Sequence, residues 1–309
     1  MSGCAFSPRN TKQREARQTL EFPRFASIFP AVTRRDFITL TGRAALGCTL
    51  GLGGYSLIEA KWLRVHPVTL RLAILPAAWS GTTIAFLSDI HYGPYVPISY
   101  VRHAVTLANS LSPDIVALGG DFPHQGRERI APCVAELGKL QARLGVFSVL
   151  GNHDHYFHGR ELAKAALRDA GITELTNRGV WLERGRERAR LRLCGVGDFW
   201  EDVQYLPAAL GDATERDAVI LLSHNPDYVE SIRDPRVGLV LSGHTHGGQV
   251  NLPIIGPPIV PSLYGQKYAH GLVQGPVAQV FVSRGVGTIT PPVRLACAPE
   301  IVFASLKRA

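Results

Sequence analysis

The chain has 309 residues, of which 46% are hydrophobic and 19% charged, enough apolar material for one large α/β domain or two small ones and too much for a chain that stays unfolded. Its net charge of +8 suggests a nucleic-acid or membrane partner only until the charges are located. Residues 1–64 hold ten Lys or Arg against four Asp or Glu, +6 of the total, so the remainder carries about +2 and lacks the basic stripe that nucleic-acid binding by counterion release requires.

Residues 1–30, with Pro8, Pro23 and Pro30, read as an irregular tail outside the fold. Thr33-Arg34-Arg35-Asp36-Phe37-Ile38 then places two arginines and an apolar pair ahead of a mildly apolar, glycine-rich run that reaches about Ile58. Segment 31–64 resembles a twin-arginine export signal, which implies the translocation machinery as a partner and the periplasm or cell envelope as destination. Arg43 and the glycines keep the run below the hydrophobicity of a stable membrane span. No A-x-A site precedes the body, where the chain reads Ser56-Leu57-Ile58-Glu59-Ala60, so an uncleaved N-terminus in contact with the membrane surface is part of the expectation. Cys4, Cys48, Cys133, Cys194 and Cys297 are scattered, without a C-x-x-C, and read as small buried residues rather than a disulfide or zinc framework.

From residue 65 onward the chain is a series of short apolar runs ending in polar clusters. Residues 68–75 and 82–87 read as strands, the second stopping at Ser88-Asp89-Ile90-His91. Residues 100–111 have helical periodicity, and the run 115–118 after them stops at Gly119-Gly120-Asp121. A second amphipathic helix is predicted over 130–144, followed by a strand at 146–150 that stops at Gly151-Asn152-His153-Asp154. Residues 179–194 read as paired strands about a charged turn. Runs 218–222 and 237–241 end at Ser223-His224-Asn225 and Ser242-Gly243-His244-Thr245-His246, while 275–282 and 293–305 read as late antiparallel strands. Alternating strands and helices imply parallel sheets with covered faces, in which reacting groups collect beyond the carboxyl ends of the strands.

The clusters hold carboxylates, imidazoles and one amide, a donor set for divalent manganese, zinc or iron, and contain no thiolate. Asp89-x-His91 can present both side chains to one ion, and the two oxygens of Asp121 can bridge two ions about 3.5–4 Å apart. A water between such ions becomes a hydroxide near neutral pH, able to attack a phosphate held across the pair. His153, beside Asn152, is placed to protonate the leaving alkoxide, with Asp154 to orient it.

Asp89-x-His91, Gly120-Asp121, Gly151-Asn152-His153-Asp154, His224 and Gly243-His244-x-His246 together resemble the calcineurin-like metallophosphoesterases, over roughly residues 68–305. The resemblance implies one ion on Asp89, His91, Asp121 and His246, a second on Asp121, Asn152, His224 and His244, and His153 as the catalytic histidine. It also implies a four-layer α/β/β/α sandwich of two mixed sheets flanked by helices. The stretches from Gly243 to Val250, Ser223 to Asp227 and Ser283 to Gly287 resemble a branch of twin-arginine-exported bacterial phosphoesterases that includes relatives of UDP-diacylglucosamine pyrophosphohydrolases. A phosphodiester or pyrophosphate in the envelope, lipid-linked substrates among them, is the expected substrate, with a phosphomonoester or a non-catalytic metal-binding module as alternatives. Tyr264, Lys267, Tyr268 and Arg284 are candidates to line the substrate side, a cation meeting a second phosphate and an aromatic flanking a base or sugar. His155 and His158 read as bystanders, His66, His103, His124 and His270 receive no role, and Pro253 to Pro261 read as a stiff connector.

Overall fold

The computed structural model describes residues 33–185 and 188–309; the tail expected over 1–30, with Cys4, and the Cys48 side chain lie outside the described residues. Helix α1 (Arg34–Glu59) starts on a reciprocal cap. The Thr33 hydroxyl accepts from the Asp36 N–H at 3.2 Å, and the Asp36 carboxylate accepts from the Thr33 hydroxyl at 2.6 Å and its N–H at 3.3 Å. The paired arginines are therefore the first two residues of the helix. Among the described residues, 33–48 belong to a small unit and those from Thr49 onward to the main unit. No helix among the described residues is long and apolar enough to cross a membrane.

After α1 come β1 (Arg64–Leu72), β2 (Thr83–Leu87), α2 (Ile98–Ser110), β3 (Ile115–Leu118), α3 (Ile130–Leu137) and β4 (Val146–Ser148). The short α4 (Asn152–His155) leads to α5 (Arg160–Asp169), β5 (Thr173–Glu174), β6 (Arg178–Arg184) and β7 (Ala189–Gly195). The chain ends with α6 (Leu206–Leu210), β8 (Ala218–Leu222), β9 (Leu239–Ser242), β10 (Gly271–Gln274), β11 (Gln279–Val282) and β12 (Glu300–Arg308). One sheet has the order β1-β12-β2-β3-β4-β5 and the other β10-β11-β9-β8-β7-β6. Both are mixed: β2 to β5 run parallel with β12 antiparallel beside β2, and β11, β9, β8 and β7 run parallel between antiparallel β10 and β6.

Side-chain alternation makes this a layered body. In β2, Ile84 and Phe86 face the second sheet while Ala85 and Leu87 face α2, α3 and α5; in β8, Ala218, Ile220 and Leu222 face the first sheet while Val219 and Leu221 face α6. The central cluster, with Phe86, Phe147, Leu193, Leu222, Leu241 and Phe281, is thus shared by both sheets. The expected sandwich of two mixed sheets flanked by helices is the observed fold, with a thinner cover on the second sheet, where the five-residue α6 and a 3-10 turn at Pro226–Ser231 replace long helices.

Several boundaries depart from the sequence reading. The first strand begins at Arg64 and includes Pro67, tolerated because β1 is an edge strand. The helix predicted over 130–144 stops at Leu137, since Gly138 weakens it and the following backbone bonds elsewhere: Gln141 N–H to Asn109 Oδ1 and Leu144 N–H to the Asp114 carbonyl. The late strands do not pair with each other, because β11 pairs with β9 and β10 whereas β12 lies in the other sheet between β1 and β2. Helices α5 and α6 were not anticipated. Cys133, Cys194 and Cys297 are buried and free, as their scatter suggested.

Candidate metal centre

Five parallel strands deliver the polar clusters to one place. Asp89 and His91 follow β2, Asp121 follows β3, Asn152 opens α4 just after β4, His224 follows β8, and His244 and His246 follow β9. All seven side chains belong to buried residues. Five of the seven, Asp89, His91, Asp121, His244 and His246, have φ between 50° and 69°, the left-handed region that non-glycine residues rarely occupy. Such backbone persists only where neighbours over-determine it. Here Asp89 N–H donates to the Gly120 carbonyl at 2.9 Å, His91 N–H to the Asp121 carbonyl at 3.0 Å, and His244 N–H to the Asp89 carboxylate at 3.0 and 3.1 Å. Gly243 makes that last approach possible, since a Cβ there would collide with Ser88 Oγ and an Asp89 carboxylate oxygen.

The donor atoms fall into two overlapping groups. In the first, His91 Nε2 lies 2.9 Å from His246 Nε2, 3.5 Å from Asp121 Oδ2 and 3.9 Å from Asp89 Oδ1, and His246 Nε2 lies 3.5 Å from Asp89 Oδ1. In the second, His224 Nε2 lies 3.3 Å from Asp121 Oδ2 and 3.2 Å from His244 Nδ1, which is 3.1 Å from Asn152 Oδ1. Donors about 2 Å from a common ion stand roughly 3–4 Å from one another, so both groups fit a divalent cation. Asp121 Oδ2 belongs to both. Its other oxygen, Oδ1, accepts the His153 N–H at 2.8 Å.

Neighbouring groups set the orientation of the donors. His224 Nδ1 donates to the Gly119 carbonyl at 2.7 Å, which turns Nε2 toward the other donors. Asn152 gives its amide N–H to the Tyr156 hydroxyl at 2.8 Å, turning Oδ1 inward. Burial drives the imidazoles of His91 and His246 well below the ordinary histidine pKa and that of His244 to about 3, which keeps them neutral and competent to ligate. Burial also opposes a charge on His224, but the carboxylates of Asp121, Asp89 and Asp198 outweigh it and raise its pKa well above the usual value.

His153 sits beside both groups, its ring 4.6 Å from that of His91, and it is only half-buried. Its Nδ1–H donates to the His124 carbonyl at 2.5 Å, leaving Nε2 as the nitrogen able to exchange a proton. The expected orienting contact from Asp154 is absent, because both Asp154 oxygens are occupied by the N–H groups of Asp121, Phe122 and Gly151 at 2.8–2.9 Å. Asp154 holds the turns that carry Asp121 and Asn152 instead. Its own pKa is pushed to about 7 by burial and by Asp121.

The proposed substrate-side residues are engaged elsewhere. Tyr268 is fully buried, with its hydroxyl 2.5 Å from Glu230 Oε1; Lys267 pairs with the same oxygen at 2.5 Å. Arg284 turns to Glu300, its Nη1 3.8 Å from Oε2, and Tyr264 packs edge-on against Tyr268 at 5.8 Å. Both cations expected to meet a second phosphate are thus paired with carboxylates, while Tyr264 stays 45% exposed. Trp200, which the sequence reading missed, stands edge-on to His244 with ring centroids 4.2 Å apart and is 47% exposed. It follows the carboxyl end of β7, another parallel strand, and that position was the available signal.

Residues 82–248, which contain all seven donors and His153, match the family described as calcineurin-like phosphoesterase. The chain is 30% identical over 287 residues to the uncharacterized metallophosphoesterase YkuE of Bacillus subtilis, covering 89% of this chain and 98% of that protein. It is 31% identical over 278 residues to the phosphodiesterase YaeI of Escherichia coli, covering 89% and 99% of the two. A metallophosphoesterase of Aquifex aeolicus is 32% identical over 265 residues, covering 83% of this chain and 96% of that one.

Proposed function

Because this chain belongs to the calcineurin-like phosphoesterases and is a metal-dependent phosphoester hydrolase, we propose that it works with two ions and cleaves a phosphodiester or pyrophosphate bond. The observation that carries this reading is Asp121 Oδ2, 3.5 Å from His91 Nε2 and 3.3 Å from His224 Nε2, one oxygen common to two donor groups. Asp89, His91, Asp121 and His246 would hold one ion, and Asp121, Asn152, His224 and His244 the other. When bound, such a pair supplies a water acidic enough to ionise near neutral pH and positive charge for the phosphate oxygens.

The protein's own residues do the rest. Asp121 Oδ1 and the His124 carbonyl hold His153 at two points, through its backbone N–H and its Nδ1–H, so that Nε2 is presented in a fixed direction. With Nδ1 committed as donor, a protonated Nε2 can give its proton to the oxygen that leaves with the alcohol or second phosphate. The edge-on Trp200 offers an exposed aromatic face beside His244 for a base or sugar in the leaving group.

Preference for a diester is supported by the similarity to a protein named a phosphodiesterase. An envelope substrate, reached by twin-arginine export, is supported by Arg34 and Arg35 ahead of the apolar run. The test is side-by-side hydrolysis of bis(p-nitrophenyl) phosphate, p-nitrophenyl phosphate and UDP-diacylglucosamine with manganese, together with elemental analysis. Two ions per chain and faster cleavage of a diester or pyrophosphate are expected; one ion, or faster monoester cleavage, rejects the respective part of the reading.

A further inference from the structure

We propose that the last turn of α1 is a working part of the metal centre, with Glu59 as the positioning residue for the ligand His246 through the segment 294–297. The inference rests on the two-ion reading above, and it starts from a buried acidic side chain. Glu59 is 3% exposed, yet it has a purpose-shaped set of partners: Oε1 accepts the Cys297 N–H at 2.9 Å and Oε2 accepts the Ala296 N–H at 3.0 Å. One turn earlier, the Ser56 carbonyl accepts the Arg294 N–H at 3.0 Å. Three backbone donors of one short segment are thus received by α1.

That segment needs holding. Ala296 lies at φ 50°, a left-handed conformation that is unfavourable for a non-glycine residue. Its other face is pressed on His246. Arg294, with no exposed surface, extends its guanidinium to the carbonyls of Cys297 at 2.9 Å and of Arg284 and Gly287 at 2.7 Å. The same guanidinium reaches the His246 carbonyl at 3.4 Å and Nδ1 of the His246 ring at 3.3 Å. Cys297 Sγ lies 3.3 Å from the His246 carbonyl, and a Cβ on Gly247 would come within 2.6 Å of that sulfur. His246 itself sits at φ 52°, so its ring direction depends on what packs behind it.

A carboxylate accepts two neighbouring N–H groups, one on each oxygen, and presents a donor to neither. Glutamine in its place sets an NH2 against a backbone N–H, releases one end of the segment and lets Arg294 and Cys297 drift from His246. The other donor group, built on Asn152, His224 and His244, shares no hydrogen bond with this segment among the described residues. The weakening should therefore be confined to one ion. It also follows that a mature chain keeps Ser56 and Glu59, so any processing of the export-like segment stops short of them.

The test uses the full chain with Glu59→Gln and Glu59→Ala, measuring manganese content and affinity by elemental analysis and titration. Wild type should hold two ions; fewer than two would sink the two-ion reading without bearing on Glu59, whose role is read from the ratio of variant to wild type. The expected result for Glu59→Gln is about 10–100-fold weaker affinity for one ion, the second unchanged, and a kcat that recovers at saturating manganese. In a cycle with His246→Ala, Glu59→Gln should remove no further metal. If Glu59→Ala does not fold, Glu59→Gln carries the test alone. Unchanged affinity in Glu59→Gln, equal loss of both ions, or an active two-ion enzyme whose N-terminus begins beyond Glu59 overturns the proposal.

Discussion

The backbone N–H of His153 donates to Oδ1 of Asp121 at 2.8 Å, so the residue placed to move a proton is tied to the residue placed to join the two donor groups. The two remain chemically separable, because the bond uses the histidine backbone and leaves its ring free.

Replacing the ring should therefore spare the metals. His153→Ala is expected to lower kcat for bis(p-nitrophenyl) phosphate by about 10²–10⁴-fold while metal content stays at the wild-type value. Elemental analysis alongside steady-state kinetics checks it. A parallel loss of metal would make His153 a ligand, an option its proximity to His91 and Asp121 leaves geometrically open.

Asp121→Asn should do the reverse. With the shared carboxylate replaced by an amide, both groups lose their common anion, and metal content should fall toward one ion or none with activity following it. Retention of two ions at wild-type affinity would contradict a shared Oδ2.

Gly243→Ala tests the packing that brings His244 onto Asp89. The added methyl meets Ser88 and the Asp89 carboxylate directly, so a loss of about 1–3 kcal/mol in stability is expected together with weakened metal binding. Thermal unfolding with and without manganese separates the two effects, and an unperturbed melting curve would show that the turn can yield.

Metal removal should destabilise the fold, because seven buried donors are left facing one another. At an ion concentration about 100 times the dissociation constant, linkage adds about 2.7 kcal/mol. For a domain of this size that corresponds to roughly 5–10 °C between manganese-loaded and chelated protein. A midpoint insensitive to chelator would argue against native-state binding.

Away from the metals, Glu300 offers a clean pH test. Burial raises its pKa, but the His66 imidazole at 2.9 Å, the Arg284 N–H at 3.0 Å and the Arg284 guanidinium together hold it below the ordinary 4.5. With the folded-state value depressed, this contribution is present above about pH 4.5 and is lost as pH falls through the folded value. Glu300→Gln should cost about 1–3 kcal/mol at pH 7, and the gap to wild type should close below pH 4.5. A gap independent of pH would mean the charge contributes nothing.

Much of this centre is legible in the sequence for a physical reason. In a parallel sheet the reactive rim is wherever apolar runs stop, so Asp89, Asp121, Asn152, His224 and His244 announce themselves by the residues before them. What stays hidden has no such trace. Arg294 answers backbone carbonyls, which every residue carries, and Glu59 answers backbone N–H groups, so neither partner can be read from side-chain identity. Trp200 was legible in principle, but its cluster holds no histidine and was passed over. Helix α5 escaped because its buried positions include alanine, too small to mark a periodic face. The substrate-side choices meet the opposite situation: Lys267 and Arg284 look unpaired in sequence, and only packing shows Glu230 and Glu300 beside them.

The place of β12 has a consequence for how the protein comes into being. The strand β12 lies between β1 and β2, pairing with Arg64–Leu72 on one side and with Thr83–Phe86 on the other. The gap between β1 and β2 is therefore filled by residues 300–308, and the sheet that carries Asp89, Asp121 and Asn152 is closed only by chain from far along the sequence. Each donor group also draws on both sheets, the first needing His246 and the second His224 and His244 from the sheet opposite Asp121. Metal loading in this sense reports that the two sheets have met.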